Sequence, residues 1–209
     1  GDEAFRIFVE EIAPATISVD HPRYLSFVPA APTESAALFD LIVGASSMYG
    51  GSWMEASGAV YAENQALRWV ADLAGLPDSA GGVFVSGGTA GNLSALVTAR
   101  HRTAHGRDRP DRWKVLASAG AHSSIDHAAR VMDVDVVRVP VDDRGRLTGT
   151  ELATVLEVQP DDGCFAVVAT AGVTNLGIVD DLEGVGRVAN EAGLWFHVDG
   201  AYGGAALCA

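Results

Sequence analysis

The sequence predicts an α/β fold: a mostly parallel, doubly wound sheet with flanking helices. Three observations carry this. From residue 82 onward, short apolar runs alternate with amphipathic stretches, the pattern of repeated right-handed crossovers. The runs at 83–85, 113–118, 134–139, 164–170 and 194–199 are short and mainly apolar, as strands of a parallel sheet are. Glycines and chemically capable side chains follow the runs, which would place them at one edge of the sheet, where such folds bind ligands.

The elements follow in order. Residues 1–12 read as a helix, with Phe5, Phe8, Val9 and Ile12 on one face and Pro14 as its end. Residues 21–32 carry three prolines and read as a structured, irregular loop. Residues 34–47 form a helix with Leu38, Leu41 and Ile42 inward, broken by Gly50 and Gly51. A further helix spans 57–74, with Ala66, Leu67, Val70, Leu73 and Ala74 as its stripe and Gly75 and Pro77 as stop signals. The strand at 83–85 leads to a helix over 90–101, and the strand at 113–118 to a helix over 123–132. After the strand at 134–139 comes a turn at 142–145. Thr148 and Glu151 then form a capping box that opens a helix to 158. The strand at 164–170, a helix over 182–192 and the strand at 194–199 complete the pattern.

Composition narrows the function. The chain has 209 residues, 48% hydrophobic and 20% charged, which suits a globular protein with a sizeable core. The net charge of −13 argues against general nucleic-acid binding. No apolar run reaches membrane-spanning length. Cys164 and Cys208 form no disulfide framework and no CxxC pair, so a reducing, cytoplasmic setting is expected. Lys114 is the only lysine, so any bound phosphate would rest on backbone N–H groups, hydroxyls and helix N-termini. The first residues resemble neither a signal peptide nor a natural start, and the chain is expected to lack its true N-terminus.

Four stretches stand out. SGGTAGN at 86–92 follows a strand and opens a helix, so free N–H groups and a positive dipole end converge there. Gly87, Gly88 and Thr89 would form a phosphate cradle, and a ligand-free glycine-rich turn is the alternative. The dinucleotide fingerprint and the P-loop both match poorly. His122, in AHSSI at 121–125, lies between a strand and a helix, as a loop histidine or as a ring that stacks on a planar ligand and moves a proton. Thr174 and Asn175 sit in a small-residue loop, and Asp180 or Asp181 is the N-cap of the next helix. Thr174 is a donor to a ring substituent or a turn-forming hydroxyl. The strand at 194–199 ends on Asp199, with Leu194, Phe196 and Val198 on one face and His197 and Asp199 on the other. A buried aspartate needs a partner. No lysine or arginine follows nearby, so a protonated heterocycle is an attractive one. His197 would hold that carboxylate or bond to backbone.

These motifs resemble the group II decarboxylases dependent on pyridoxal 5'-phosphate, which act on aromatic L-amino acids, glutamate and diaminobutyrate. The resemblance covers nearly the whole chain: His21-Pro22 with residues 27–29, FVSGGTAGN at 84–92, AHSSI at 121–125, residues 169–180, and HVDGAYGG at 197–204. Gly200 stands where the family usually has alanine. The resemblance implies the large domain of pyridoxal phosphate fold type I over 76–209, preceded over 1–75 by helices and a substrate or dimer loop. It implies that Gly87, Gly88 and Thr89 bind the cofactor phosphate and that His122 stacks on the ring. Thr174 would lie near the ring substituents, Asp199 would pair with the ring nitrogen, and Ala201 would pack on the ring. Phe27 and Pro29 would line the substrate pocket. A homodimer is implied too.

The family's Schiff-base lysine lies some tens of residues beyond HVD, and Lys114 does not replace it. The chain is therefore expected to be part of a decarboxylase, inactive alone. A related lyase, an aromatic aldehyde synthase, and a non-catalytic cofactor-binding or dimerisation domain are the alternatives.

Overall fold

The computed structural model describes residues 1–19, 21–24, 26, 32–105, 108, 110–158 and 163–208. The chain divides into two compact units, Gly1–Glu63 and Asn64–Ala209, and the division falls inside a helix.

The first unit is helical. Helix α1 spans Asp2–Ile7 and runs on through a widened π turn, Phe8–Ile12, into a tight 3-10 turn, Ala13–Ala15. Pro14 thus sits within the last helical turn instead of ending the segment before it, because a proline lacking an N–H is tolerated in a helix's first turn. Helix α2 spans Glu34–Ser46, with Thr33 as N-cap accepting from the Ala36 N–H at 3.2 Å. The expectation that Leu38, Leu41 and Ile42 face inward is corrected: all three are exposed. Helix α3, Ser57–Leu73, passes into the second unit. Of its expected stripe Val70 and Leu73 are exposed, while Ala71 is buried. Arg68 bonds to Asp72 and to the carbonyls of Leu76, Pro77 and Asp78 and holds the chain just past the helix.

The second unit holds the sheet. Helix α4 spans Gly88–Ala104, β1 Lys114–Ser118, α5 Ser124–Met132, β2 Asp135–Val139, α6 Gly149–Val158, β3 Cys164–Thr170, α7 Leu182–Glu191 and β4 Trp195–Asp199. The four strands are parallel in the order β2-β1-β3-β4. Residues 83–85 were expected to be a strand and are not one. They join no ladder of this sheet, and Val83 and Phe84 are exposed. A short apolar run alone does not make a strand; a pairing partner does.

Helix periodicity builds both layers. On one face, Ile125, Ala128, Ala129 and Met132 of α5 and Leu96 and Ala99 of α4 pack with Val115, Ala117, Phe165, Ala166 and Val168 of the central strands. On the other, Leu152 and Val155 of α6 and Val185, Val188 and Ala189 of α7 pack on Leu116, Val167 and Ala169. Strand β3 is buried throughout, which explains its unbroken apolar run. No helix among the described residues is long and apolar enough to cross a membrane.

Chain order sets the site. From β1 the chain moves outward to β2, then returns across β1 to β3 on its other side. The crevice beyond the C-terminal ends of β1 and β3 is the switch point, where ligands of open α/β sheets bind.

Candidate functional site at the sheet edge

Strand β4 delivers Asp199 to this edge, paired in register with Thr170 of β3. Asp199 is buried at 6% exposure. Its Oδ2 accepts from Asn92 Nδ2 at 2.9 Å and its Oδ1 from the Ala201 N–H at 3.1 Å. Among the described residues no lysine, arginine or histidine forms an ion pair with it. A carboxylate offers about four acceptor positions, and each oxygen here has one partner. A buried anion with spare acceptors and no counter-ion suits a cationic N–H donor.

Asn92, on α4, is the hub of the polar cluster. It is buried at 5% exposure, and its Nδ2 also donates to Ser124 Oγ at 2.9 Å. Ser124 Oγ lies 2.9 Å from His122 Nδ1, and the Ser124 N–H donates to the same nitrogen at 3.1 Å. His197 Nε2 lies 2.8 Å from Asn92 Oδ1. By hydrogen bonds, His197 therefore reaches Asp199 through the Asn92 amide. Burial pushes the His197 imidazole below its ordinary pKa, against the opposing pull of the Asp199 charge. Asn92 and Ser124 stood inside the motifs that mark this site, yet sequence reasoning gave neither a role. The available signal was a polar residue facing the apolar side of its helix.

His122 and Thr174 lie together. Both line a cavity of about 440 Å³, walled by residues 119–123 after β1 and 173–176 after β3. The loop carrying Thr174 is tied at its base by the Ala171 and Val179 bridge and by the Val173 N–H to the Ile178 carbonyl at 2.8 Å. Asp180 anchors it. One Asp180 oxygen accepts from the Leu147 N–H and the other from the Thr170 N–H, each at 2.7 Å. Burial raises the Asp180 pKa, although those backbone donors pull it down. The N-cap of α7 is thus Asp181, which accepts from the Gly184 N–H at 3.1 Å, and Asp180 is a buried clamp.

Gly87 is the N-cap of α4, and Gly88 and Thr89 form its exposed first turn, with no side chain capping their N–H groups. A Cβ on Gly88 would stand 2.9 Å from the Ala201 Cβ, so the cradle and the turn after Asp199 are in close approach. A Cβ on Gly203 would overlap the Ala171 carbonyl, so the small residues after β4 let two loops meet backbone to backbone. Gly200 is under no such constraint; an added Cβ would make only ordinary contacts near 3.6 Å. An alanine fits there, as the resemblance expects. Phe27 and Pro29 lie outside the described residues.

Pyridoxal phosphate fits these groups. A helix N-terminus suits its phosphate, an unpaired buried acid suits its ring nitrogen, and an imidazole and a hydroxyl share the adjoining cavity.

Known proteins agree. A family profile described as the pyridoxal-dependent decarboxylase conserved domain matches residues 8–209. The aromatic-L-amino-acid decarboxylase of Bacillus atrophaeus is 32% identical over 194 residues, covering 90% of this chain and 40% of that protein. The L-2,4-diaminobutyrate decarboxylase of Rhizobium meliloti (strain 1021) is 34% identical over 194 residues, covering 90% of this chain and 39% of that protein. The glutamate decarboxylase domain of diaminobutyrate-pyruvate transaminase and L-2,4-diaminobutyrate decarboxylase from Vibrio parahaemolyticus superposes with a TM-score of 0.89 at 29% identity, covering 98% of this chain and 48% of that one. The chain thus spans less than half the length of these relatives, and its architecture is that of the fold type I large domain. By its sequence over residues 8–209 and by its fold, the chain belongs to the pyridoxal-dependent decarboxylase family.

Proposed function

We propose that the whole protein carrying this chain decarboxylates an L-amino acid, with aromatic side chains as the first class to test, and releases the amine and carbon dioxide. The observation that carries the reading is Asp199: a buried carboxylate with no ion-pair partner among the described residues, beside the α4 N-terminus and the His122 cavity. When bound, pyridoxal phosphate supplies an electron sink for the bond between Cα and the carboxylate. Asp199 would keep a proton on the ring nitrogen. That charge-assisted bond contributes on the order of 1.5–3 kcal/mol, and more as negative charge develops in the ring. The N–H groups of Gly88 and Thr89, with the Thr89 hydroxyl and the Gly87 turn, would hold the phosphate. His122 would cover the ring and position the substrate carboxylate or the proton that replaces it. Thr174 would donate to a ring substituent, and Ala201 would pack against the ring. Phe27 and Pro29 would shape the substrate pocket.

These 209 residues alone are proposed to be inactive. The one lysine, Lys114, is the first residue of β1, at the end of the strands opposite Asp199. The exposed apolar faces of the N-terminal helices support a homodimer, and the sparse, unpatterned cysteines support a cytoplasmic setting.

The test is direct. The full-length protein with pyridoxal phosphate should show a visible cofactor band and convert an amino acid to its amine. Aldehyde in place of amine would favour the aldehyde synthase reading. Asp199→Asn should weaken cofactor affinity by roughly 10- to 150-fold. Unchanged affinity in that variant would reject the assigned role. Turnover by the isolated 209 residues would reject the inactivity.

A further inference from the structure

The acceptors around Asn92 decide how its amide is turned. A carboxylate only accepts, so the atom facing Asp199 Oδ2 is Asn92 Nδ2, at 2.9 Å. Its second hydrogen goes to Ser124 Oγ, also at 2.9 Å. Asn92 Oδ1 is left to accept, and His197 Nε2, 2.8 Å away, must carry a hydrogen to fill it. Ser124 Oγ, having accepted from Asn92, keeps its own hydrogen for His122 Nδ1 at 2.9 Å. The Ser124 N–H points at that nitrogen as well, at 3.1 Å. His122 Nδ1 is therefore an acceptor, and the neutral ring holds its hydrogen on Nε2. Donation runs outward from the Asn92 amide in two directions: one hydrogen goes to the Asp199 carboxylate, and the other leads through Ser124 Oγ to His122 Nδ1.

Burial makes the arrangement hard to replace. Asn92 and Ser124 are 5% and 1% exposed, so solvent does not readily supply a lost donor. The amide also joins three elements, α4, α5 and β4, at the one point where their polar groups meet.

We propose that Asn92 is a positioning residue that locks the Asp199 carboxylate and, through Ser124, ties it to His122, leaving the His122 Nε2–H as that ring's free donor. The cofactor reading supplies the reason that Asp199 and His122 matter; the proton layout stands on the protein alone.

Two measurements test it on the full-length protein. In the apoprotein labelled with nitrogen-15 histidine, the ring nitrogens of His122 and His197 should both report the Nε2–H form. A hydrogen on Nδ1 of either ring overturns the assignment. The second measurement is pyridoxal phosphate affinity across pH in two variants. Asn92→Asp keeps the shape and the acceptor for His197, but sets an oxygen against Asp199 where a donor stood. The titrating groups facing this position are then Asp199 and His197 on β4 and, beyond Ser124, His122. Affinity should fall at least about tenfold at pH 8 and recover as the pH falls, because paired carboxylates share a proton that restores the donor. Asn92→Ala should lose affinity without that acid recovery.

Affinity equal to the unsubstituted protein in both variants overturns the proposal, as does an Asn92→Asp profile that runs parallel to the unsubstituted one. The nitrogen shifts need no variant, so they decide the question even where a variant fails to fold. Failure of the unsubstituted protein to bind pyridoxal phosphate would overturn the cofactor reading instead, and the apoprotein tautomers would still decide Asn92.

Discussion

The N-terminal unit and the sheet unit deal with apolar surface in opposite ways. Within Gly1–Glu63, Ala56 is the only buried residue among those described, while Leu41 is 69% and Trp53 71% exposed. Within Asn64–Ala209, the helices close both faces of the sheet and leave Phe165, Leu116 and Leu152 fully buried. Both units carry helical apolar periodicity. The difference teaches that periodicity marks a face that wants cover, whereas cover depends on a second element of complementary shape. The sheet brings that element within its own unit; among the described residues α2 has none there.

The comparison breaks most sharply at Phe165. Phe165→Ala should cost about 3–5 kcal/mol, read as a lower urea midpoint. A cost under about 1 kcal/mol would show that the sheet core is loose and the contrast false. Asp180→Ala should come next, at about 3 kcal/mol, since the Leu147 and Thr170 N–H groups both lose their acceptor inside the protein. Asp180→Asn keeps one acceptor and should cost less; equal costs would show that the clamp is electrostatic rather than hydrogen-bonded.

A smaller effect belongs to His197. Its folded pKa lies below the ordinary 6.5, so near that pH the unfolded chain binds a proton that the folded chain refuses. Stability is therefore lost as the pH falls from 6.5 toward the folded value. His197→Gln should flatten this part of the urea midpoint against pH, and an unchanged slope would show that His197 titrates alike in both states. Smallest is Leu41→Ser on α2, expected within about ±0.5 kcal/mol because the side chain is already exposed. A larger loss would show that the α2 face is covered after all, and would erase the contrast between the units.

Much of the site was legible because residue type and strand position coincide. Asp199 ends an apolar strand, His122 and Thr174 follow two others, and Gly88 opens a helix; each is a local pattern. Asn92 and Ser124 were opaque because their partners are remote. Asn92 meets Ser124 across 32 residues and Asp199 across 107. Asp180 and Asp181 were indistinguishable as caps for a similar reason: the Leu147 N–H that claims Asp180 lies 33 residues away. Residues 83–85 are a short apolar run of the kind strands use, but strand formation depends on a neighbour that the run does not name.

By itself, the sequence determined the alternation of strands and helices, the parallel sheet they imply, and the glycine, acid, imidazole and hydroxyl at its edge. These follow from local periodicity and from residue chemistry at chain positions. Tertiary structure decided the strand order that opens the crevice between β1 and β3, the exposure of the N-terminal helices, and the amide that joins Asp199 to His122. Those depend on contacts between residues far apart in the chain, whose energies no short window of sequence contains.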